Sequence, residues 1–165
     1  MLFYQFITEF SAMTDHQSAT PQTISKSIRI NAPSNAVWGA LTQPELMKSW
    51  MLDSEIEIVT TWEVGSPIII NVQAESYKTA FKNTGVVLQF LKDRVLEYSH
   101  LSSLSRLPDR DENYTLIRFT LQQEDDHTLL ELNLSNFPTE SHYKHIDFYW
   151  TITLEVLKRF LEERH

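Results

Sequence analysis

Two histidines near the start of the last helical stretch have the spacing of a metal-binding pair. His142 and His145 are three residues apart, so on a helix they share one face, and Asp147 follows them. Imidazole and carboxylate groups are common zinc ligands. However, no glutamate stands between the histidines as in zinc peptidases, and a histidine pair at a helix start is more typical of solvated or capping side chains. We therefore predict no metal site.

His100 is a second residue whose type suits chemistry. In a strand over residues 94–101, Tyr98 and His100 share one face, while Glu97 and Ser99 share the other. Glu97 and Ser99 favour solvent, so we expect His100 to point inward. There it would place a donor and an acceptor beside an apolar interior, where it could orient a ligand or relay a proton. The alternative is a strand-end histidine that bonds to backbone or water.

Motifs for the common catalytic chemistries are absent from the sequence. With three glycines and no cysteine, the chain has no phosphate-binding loop, no dinucleotide fingerprint, no nucleophile elbow and no thiolate. Acidic pairs such as Asp125 with Asp126 have the character of solvated turns. We therefore predict no cofactor and no catalytic residue, and we favour a non-enzymatic function.

Composition indicates one domain of ordinary size. The chain has 165 residues, 14 of them Lys or Arg, and a net charge of -8. The acidic balance argues against a nucleic-acid or anionic-membrane surface. No apolar run approaches the ~20 residues of a membrane span. The absence of cysteine fits a reducing compartment, so we predict a cytoplasmic protein.

The first 22 residues differ from the rest of the chain. Residues 1–10 are apolar but lack the basic start and cleavage site of a signal peptide, and residues 11–22 are polar. We predict that residues 1–22 form a flexible or peripheral extension and that residues 23–165 form the domain. If residues 1–10 are ordered, we expect them to pack on the domain or on a second subunit.

The stretch that must position any site is the last one, Thr139 to Arg164. Its apolar positions cover about twice the ~100° arc of an ordinary surface helix, so we expect a helix that is gripped on more than one side. Pro138 and Thr139 mark its start. The positions on the arc are Tyr143, Ile146, Tyr149, Trp150, Ile152, Thr153, Leu154, Val156, Leu157, Phe160 and Leu161.

Alternating apolar and polar residues predict seven strands before this helix. The candidates are residues 24–30, 55–60, 68–74, 81–91, 94–101, 114–122 and 128–135, with two short helices after the first strand, divided by Pro44. Most links between strands are short, which favours antiparallel pairing. The order predicts an α+β fold without βαβ units.

The opening of the domain carries a recognisable set of residues, which are Ile30, Ala32, Pro33, Val37, Trp38, Ala40, Leu41, Thr42, Pro44, Glu45, Leu46 and Trp50. Gly65, Gly85 and the run from Val95 to Tyr98 extend this pattern. The pattern resembles the START-like (SRPBCC, helix-grip) superfamily, and within it the branch named for the activator of the heat-shock protein ninety ATPase. The resemblance covers residues 24–163.

The resemblance implies a curved antiparallel sheet of six to seven strands wrapped on the C-terminal helix, with a mostly apolar cavity between them. We therefore predict binding of a small hydrophobic or aromatic ligand. A filled core without a cavity is the structural alternative. The expected pocket residues are Trp38, Ile70, Val72, Leu88, Phe90, Tyr98, His100, Ile117, Phe119, Ile146, Trp150, Leu154 and Leu157.

Two other functions stay open. One is an enzyme of the cyclase or dehydratase type, acting on a polyketide-like or aromatic substrate, which would need a polar cluster inside the cavity. The other is a chaperone-interacting module, as the branch name implies, which would need a protein-binding surface. For partners we expect a small ligand and neither nucleic acid nor a membrane span, with a homodimer left open.

Overall fold

A computed structural model describes residues 22–51, 55–74 and 79–164. The strands are β1 (Thr23–Ile30), β2 (Glu55–Thr60), β3 (Pro67–Ala74), β4 (Thr79–Leu91), β5 (Val95–Ser102), β6 (Thr115–Glu124) and β7 (His127–Ser135). The helices are α1 (Ser34–Thr42), α2 (Pro44–Met47) and α3 (Glu140–Glu162), and 3-10 turns span Ser103–Ser105 and Asp111–Asn113. The predicted α+β order of elements is confirmed. Residues 1–21 of the predicted extension lie outside the described part of the chain.

The seven strands form one open, curved sheet in the order β1-β7-β6-β5-β4-β3-β2. Every pairing is antiparallel, as the short links between strands predict. β1 and β2 lie on opposite edges, so α1 and α2 carry the chain from one edge to the other. Helix α3 follows β7 and packs on the inner face of the sheet. This is the helix-grip arrangement that the sequence predicts.

Helix α3 begins as predicted, because Thr139 is its N-cap and the Thr139 hydroxyl accepts a hydrogen bond from the His142 backbone N–H at 3.2 Å. Its buried stripe is narrower than the predicted arc. Val156, predicted to be on the arc, is 38% exposed, and the boundary residue Phe148 is 47% exposed. The apolar side chains of the buried stripe are Ile146, Trp150, Leu154, Leu157 and Leu161. The helix therefore presents one face to the sheet and keeps an ordinary solvent-facing side.

A β-bulge interrupts the pairing of β4 with β5. The register shifts between Val87 and Gln89, and just before this shift the two backbones lie close together at Gly85. A Cβ atom at Gly85 would lie 1.6 Å from the carbonyl oxygen of Ser99. Ser99 was expected to face solvent, but it is buried and its hydroxyl accepts a hydrogen bond from the Val86 N–H at 2.9 Å. The bulge thus bends β4 and breaks the alternation of this strand, on which the sequence prediction relied.

The segment after α2 is fixed to the rest of the molecule by aromatic donors. The indole of Trp50 donates to the Ala40 carbonyl at 2.9 Å, and the hydroxyl of Tyr149 on α3 donates to the Met51 carbonyl at 2.5 Å. These bonds hold Met51 against the long helix.

In the part of the chain that the structure describes, no helix is long and apolar enough to cross a bilayer.

Candidate ligand cavity

A cavity lies between the inner face of the sheet and α3. The volume of the cavity is about 70 Å³, and one side of it is partly open to solvent. This space is small beside the ~300–1,000 Å³ of pockets for drug-sized ligands, so it suits a molecule of about one ring. Its walls are formed by Met51, Ile70, Phe81, Asn83, Tyr98, His100, Leu101, Ser102, Leu104, Asn113, Thr115, Ile117, His142, Ile146, Tyr149 and Trp150.

Six of the predicted pocket residues line this cavity. They come from strands β3, β5 and β6 and from α3: Ile70, Tyr98, His100, Ile117, Ile146 and Trp150. On β5 the strand alternation that turns Tyr98 inward also turns His100 inward. Ile146 and Trp150 are four residues apart, which places both on the sheet-facing side of the helix. Their part in ligand binding remains a prediction.

Several predicted pocket residues belong instead to the solid core. Trp38 packs edge-on against Phe90, with ring centroids 5.0 Å apart, and Phe90 stacks on Trp62 at 5.7 Å. This aromatic cluster lies beside α1 and does not line the cavity. The other core members have 4% exposure or less: Val72, Phe119, Leu154 and Leu157. Because their faces are filled by neighbouring side chains, apolar periodicity alone could not separate them from the cavity wall.

The prediction for Leu88 is wrong. Its side chain is 40% exposed, whereas Val87 beside it is fully buried. The sequence prediction placed Leu88 and Phe90 on one face, as in an uninterrupted strand. The bulge between Val87 and Gln89 breaks this alternation, so Phe90 packs inward and Leu88 points outward.

Ten lining residues were not predicted. Thr115 lies on the same face of β6 as Ile117, and Tyr149 and His142 are three and four residues from Ile146 on α3, so periodicity carried a signal for these three. Phe81 and Asn83 lie on the same face of β4 as Val87. Met51, Leu104 and Asn113 lie in turns and connections, for which periodicity gives no signal.

The histidine pair of α3 is buried, which corrects the expectation that these side chains are solvated. His142 is 5% exposed and His145 is 4% exposed. The Thr139 hydroxyl and Nδ1 of His142 lie 2.5 Å apart and share a hydrogen bond, so the capping residue also orients this ring. Asp147 points elsewhere and pairs with Lys26 at 2.6 Å. Among the described residues, no three histidine or carboxylate side chains converge as they would around a metal ion.

The electrostatics of the cavity favour uncharged side chains. Burial, and to a lesser degree the nearby His142, lowers the pKa of His100 to about 4, so the His100 ring is neutral at pH 7. Burial also raises the pKa of Tyr98 and of Tyr149 well above the ordinary value for a phenol. None of the described lining residues is Lys, Arg, Asp or Glu. His100, Tyr98 and Tyr149 thus offer neutral hydrogen-bonding groups within an apolar surface.

Comparison with known proteins identifies both a matching family and solved structures with the same fold. Residues 31–162 match the family described as activator of Hsp90 ATPase homologue 1-like proteins. No curated protein sequence is significantly similar to the chain.

Solved structures extend the match along nearly the whole chain. A Cytophaga hutchinsonii protein is 34% identical over 92% of this chain and 98% of its own, with a TM-score of 0.73. The Aha1 dimer from Colwellia psychrerythraea is 22% identical over 86% and 96%, with a TM-score of 0.66. CalU16 from Micromonospora echinospora is 20% identical over 90% and 87%, with a TM-score of 0.63. The last two show the shared fold alone.

The family match covers four-fifths of the chain, from the end of β1 to the end of α3, and so includes every element that lines the cavity. The resemblance to the START-like branch of Hsp90 ATPase activators is confirmed. The chain belongs to the activator of Hsp90 ATPase homologue 1-like family.

Proposed function

We propose that this protein binds a small, largely apolar molecule in the cavity between the sheet and α3. The observation that carries the proposal is the cavity itself, which remains open although the side chains around it are well packed. Protein interiors are normally filled to crystal-like density, and an unfilled apolar space costs contacts. A ligand would supply the missing contacts against Ile117, Ile146 and Trp150.

Binding is supported better than proton transfer. The cavity holds polar groups, as the enzymatic alternative requires, and His100 is the natural candidate for a base. With a pKa of about 4, however, its ring is a weak base at pH 7, and general-base catalysis works best when the pKa lies near the working pH. A neutral histidine in an apolar wall is suited to hydrogen bonding with a bound molecule.

Native mass spectrometry of the purified protein tests the proposal. We expect a retained small molecule that dissociates on unfolding and is identified in the extract. Ile146→Phe should fill the cavity and abolish retention. Val156→Phe introduces the same side chain on the exposed side of the same helix and should retain the molecule.

The result that contradicts ligand binding is equally clear. If wild-type protein retains no molecule after exposure to cell extract, the proposed ligand binding is wrong. Equal retention by Ile146→Phe and Val156→Phe would place the binding elsewhere on the protein.

The family description favours chaperone interaction as a second candidate function. It would use the protein's surface rather than the cavity, so Ile146→Phe should leave it unchanged. A binding measurement with an Hsp90-class ATPase, together with its ATPase rate, tests this candidate. Unchanged ATPase activity and no complex at micromolar concentrations would reject it. A homodimer, the state in which the Colwellia relative is described, is tested by the subunit count in the same native mass spectrum.

A further inference from the structure

The polar groups of the cavity are gathered at one end of it. Asn83 on β4 pairs with Ser102 on β5, and His100 lies two residues before Ser102 on the same strand. Across the other side of β5, His100 pairs with Thr115 on β6. The start of α3 brings His142 close enough to His100 to lower the pKa of the His100 ring. The first half of β4, the end of β5, the start of β6 and the start of α3 thus meet in a polar patch.

The opposite end of the cavity is mostly apolar, although Tyr98, which pairs with Ile117, also lines it. Ile117 follows Thr115 by two residues on β6, and Ile146 and Trp150 follow His142 by one and two turns on α3. Since both elements run away from the polar patch, these side chains lie progressively farther from it. A molecule in the cavity would therefore meet hydrogen-bonding groups at one end and hydrocarbon at the other.

The side-chain amide of Asn83 is incompletely satisfied. Oδ1 of Asn83 is buried, and no donor within the described part of the chain reaches it. Buried polar atoms almost always have a hydrogen-bond partner, and a native exception calls for an explanation such as a missing ligand. Because Asn83 lines the cavity, a bound molecule can supply that donor after a small rotation of the amide.

His100 can supply the complementary contact. Asn83 and His100 are diagonal neighbours on the concave face, a separation of roughly 7–8 Å between their backbones that long polar side chains can bridge. The neutral imidazole carries one N–H donor and one acceptor nitrogen. A single hydroxyl group placed between the two side chains would donate to Asn83 and accept from His100.

We propose that the cavity selects a small neutral alcohol or phenol, whose hydroxyl binds between Asn83 and His100 while its hydrocarbon part packs against Ile117, Ile146 and Trp150. This inference rests on the proposed ligand-binding function and narrows its ligand class. A carboxylate is disfavoured, since a buried charge needs a paired opposite charge. A hydrocarbon or a methyl ether is disfavoured because it leaves the Asn83 acceptor without a donor.

Four compounds of similar shape test the selection by calorimetric or NMR titration of the full chain. They are 4-methylphenol, p-xylene, 4-methylanisole and 4-methylbenzoate. We expect 4-methylphenol to bind at least 10-fold more tightly than each of the others. Asn83→Leu keeps the size of the side chain but removes the acceptor, so it should abolish the preference of 4-methylphenol over p-xylene. Asn83→Val, which also lacks an acceptor, serves as a second variant if the leucine variant does not fold.

The outcomes separate this inference from the function on which it rests. If p-xylene or 4-methylanisole binds as tightly as 4-methylphenol, the hydroxyl selection is wrong and apolar ligand binding stands. The same holds if the preference survives in both Asn83 variants. If 4-methylbenzoate binds most tightly, the neutral ligand class is wrong. If none of the four binds, both the ligand class and the ligand-binding function are overturned.

Discussion

Gly85 shows at the scale of one residue how the sheet acquires its bend. The Ser99 carbonyl occupies the space where any other residue would carry its Cβ, 1.6 Å away. Because a backbone atom is the obstacle, the two strands would have to separate to admit a methyl group. Gly85 thus allows β4 and β5 to approach closely beside the cavity.

We expect Gly85→Ala to lower the free energy of unfolding by about 3 kcal/mol or more, at the upper end of overpacking costs. Gly39→Ala is the matched control. There the nearest obstacle is the flexible end of the Gln43 side chain at 3.2 Å, and alanine favours the helix by up to ~1 kcal/mol. Urea denaturation of both variants measures the difference. Equal stabilities would show that the close approach at Gly85 is not a constraint.

His100 should make the stability depend on pH. In the unfolded chain a histidine titrates near 6.5, whereas burial and the neighbouring His142 lower the folded pKa of His100 to about 4. Between these values the unfolded chain binds more protons, so stability is full above pH 6.5 and falls as the pH drops towards 4. Between pH 7.5 and 5 the contribution of His100 is a loss of roughly 2 kcal/mol.

The check is urea denaturation at several pH values. His100→Gln should reduce the loss of stability between pH 7.5 and 5 by that amount. An unchanged pH dependence in the variant would show that the histidine does not remain neutral in the folded protein.

Single residues were predictable where a regular element continued and unpredictable where it was interrupted. Tyr98 and His100 follow the alternation of an unbroken strand segment, and both line the cavity. Leu88 lies at the bulge, so the same rule gave the wrong face for it. His142 was expected to be solvated or to act as a cap, as is usual at helix starts, but its side chain is buried beside the capping residue Thr139.

At the scale of the element, α3 supplies one wall of the cavity and much of the core. Leu157 is completely buried, whereas its neighbour Val156 is 38% exposed. We expect Leu157→Ala to cost about 2–5 kcal/mol and Val156→Ala less than about 1 kcal/mol. Thermal or urea unfolding of the two variants gives the comparison. Similar losses would contradict the orientation of the helix.

Truncation after Glu155 is the harsher test of the same element. It removes Leu157 and Leu161, and each fully buried side chain contributes about 1.5–3 kcal/mol. A typical domain has only ~5–15 kcal/mol of stability in total. We expect the truncated chain to lose its cooperative thermal transition. A transition near that of the full chain would show that the end of α3 is dispensable.

The elements themselves were almost entirely predictable. All seven strands and three helices stand where alternation, Pro44 and the Thr139 cap indicated them, with ends that differ by a few residues. The spatial order of the strands and the wrapping of the sheet were accessible only through the family resemblance, because periodicity does not say which strands are neighbours. The width of the buried face of α3 was overestimated, since aromatic and apolar residues at its flanks are only half-buried.

At the scale of the whole molecule, we predict that residues 23–165 fold as a domain without the first 22 residues. The polar run of residues 11–22 offers little apolar surface to bury, so we expect a chain that starts at Thr23 to keep its melting temperature. Differential scanning calorimetry of the two chains measures this. A melting temperature many degrees lower would assign residues 1–10 to a docked or dimerising segment.

The central claim is that the cavity between the sheet and α3 is the binding site, and methyl NMR tests it most directly. In protein with labelled isoleucine methyl groups, titration with 4-methylphenol should shift Ile70, Ile117 and Ile146, which line the cavity. Ile28 on β1 and Ile152 on α3, which do not line it, should keep their positions. Saturable shifts confined to the three cavity residues are the predicted result. Shifts confined to Ile28 or Ile152, or the absence of any shift at millimolar ligand, would contradict the account.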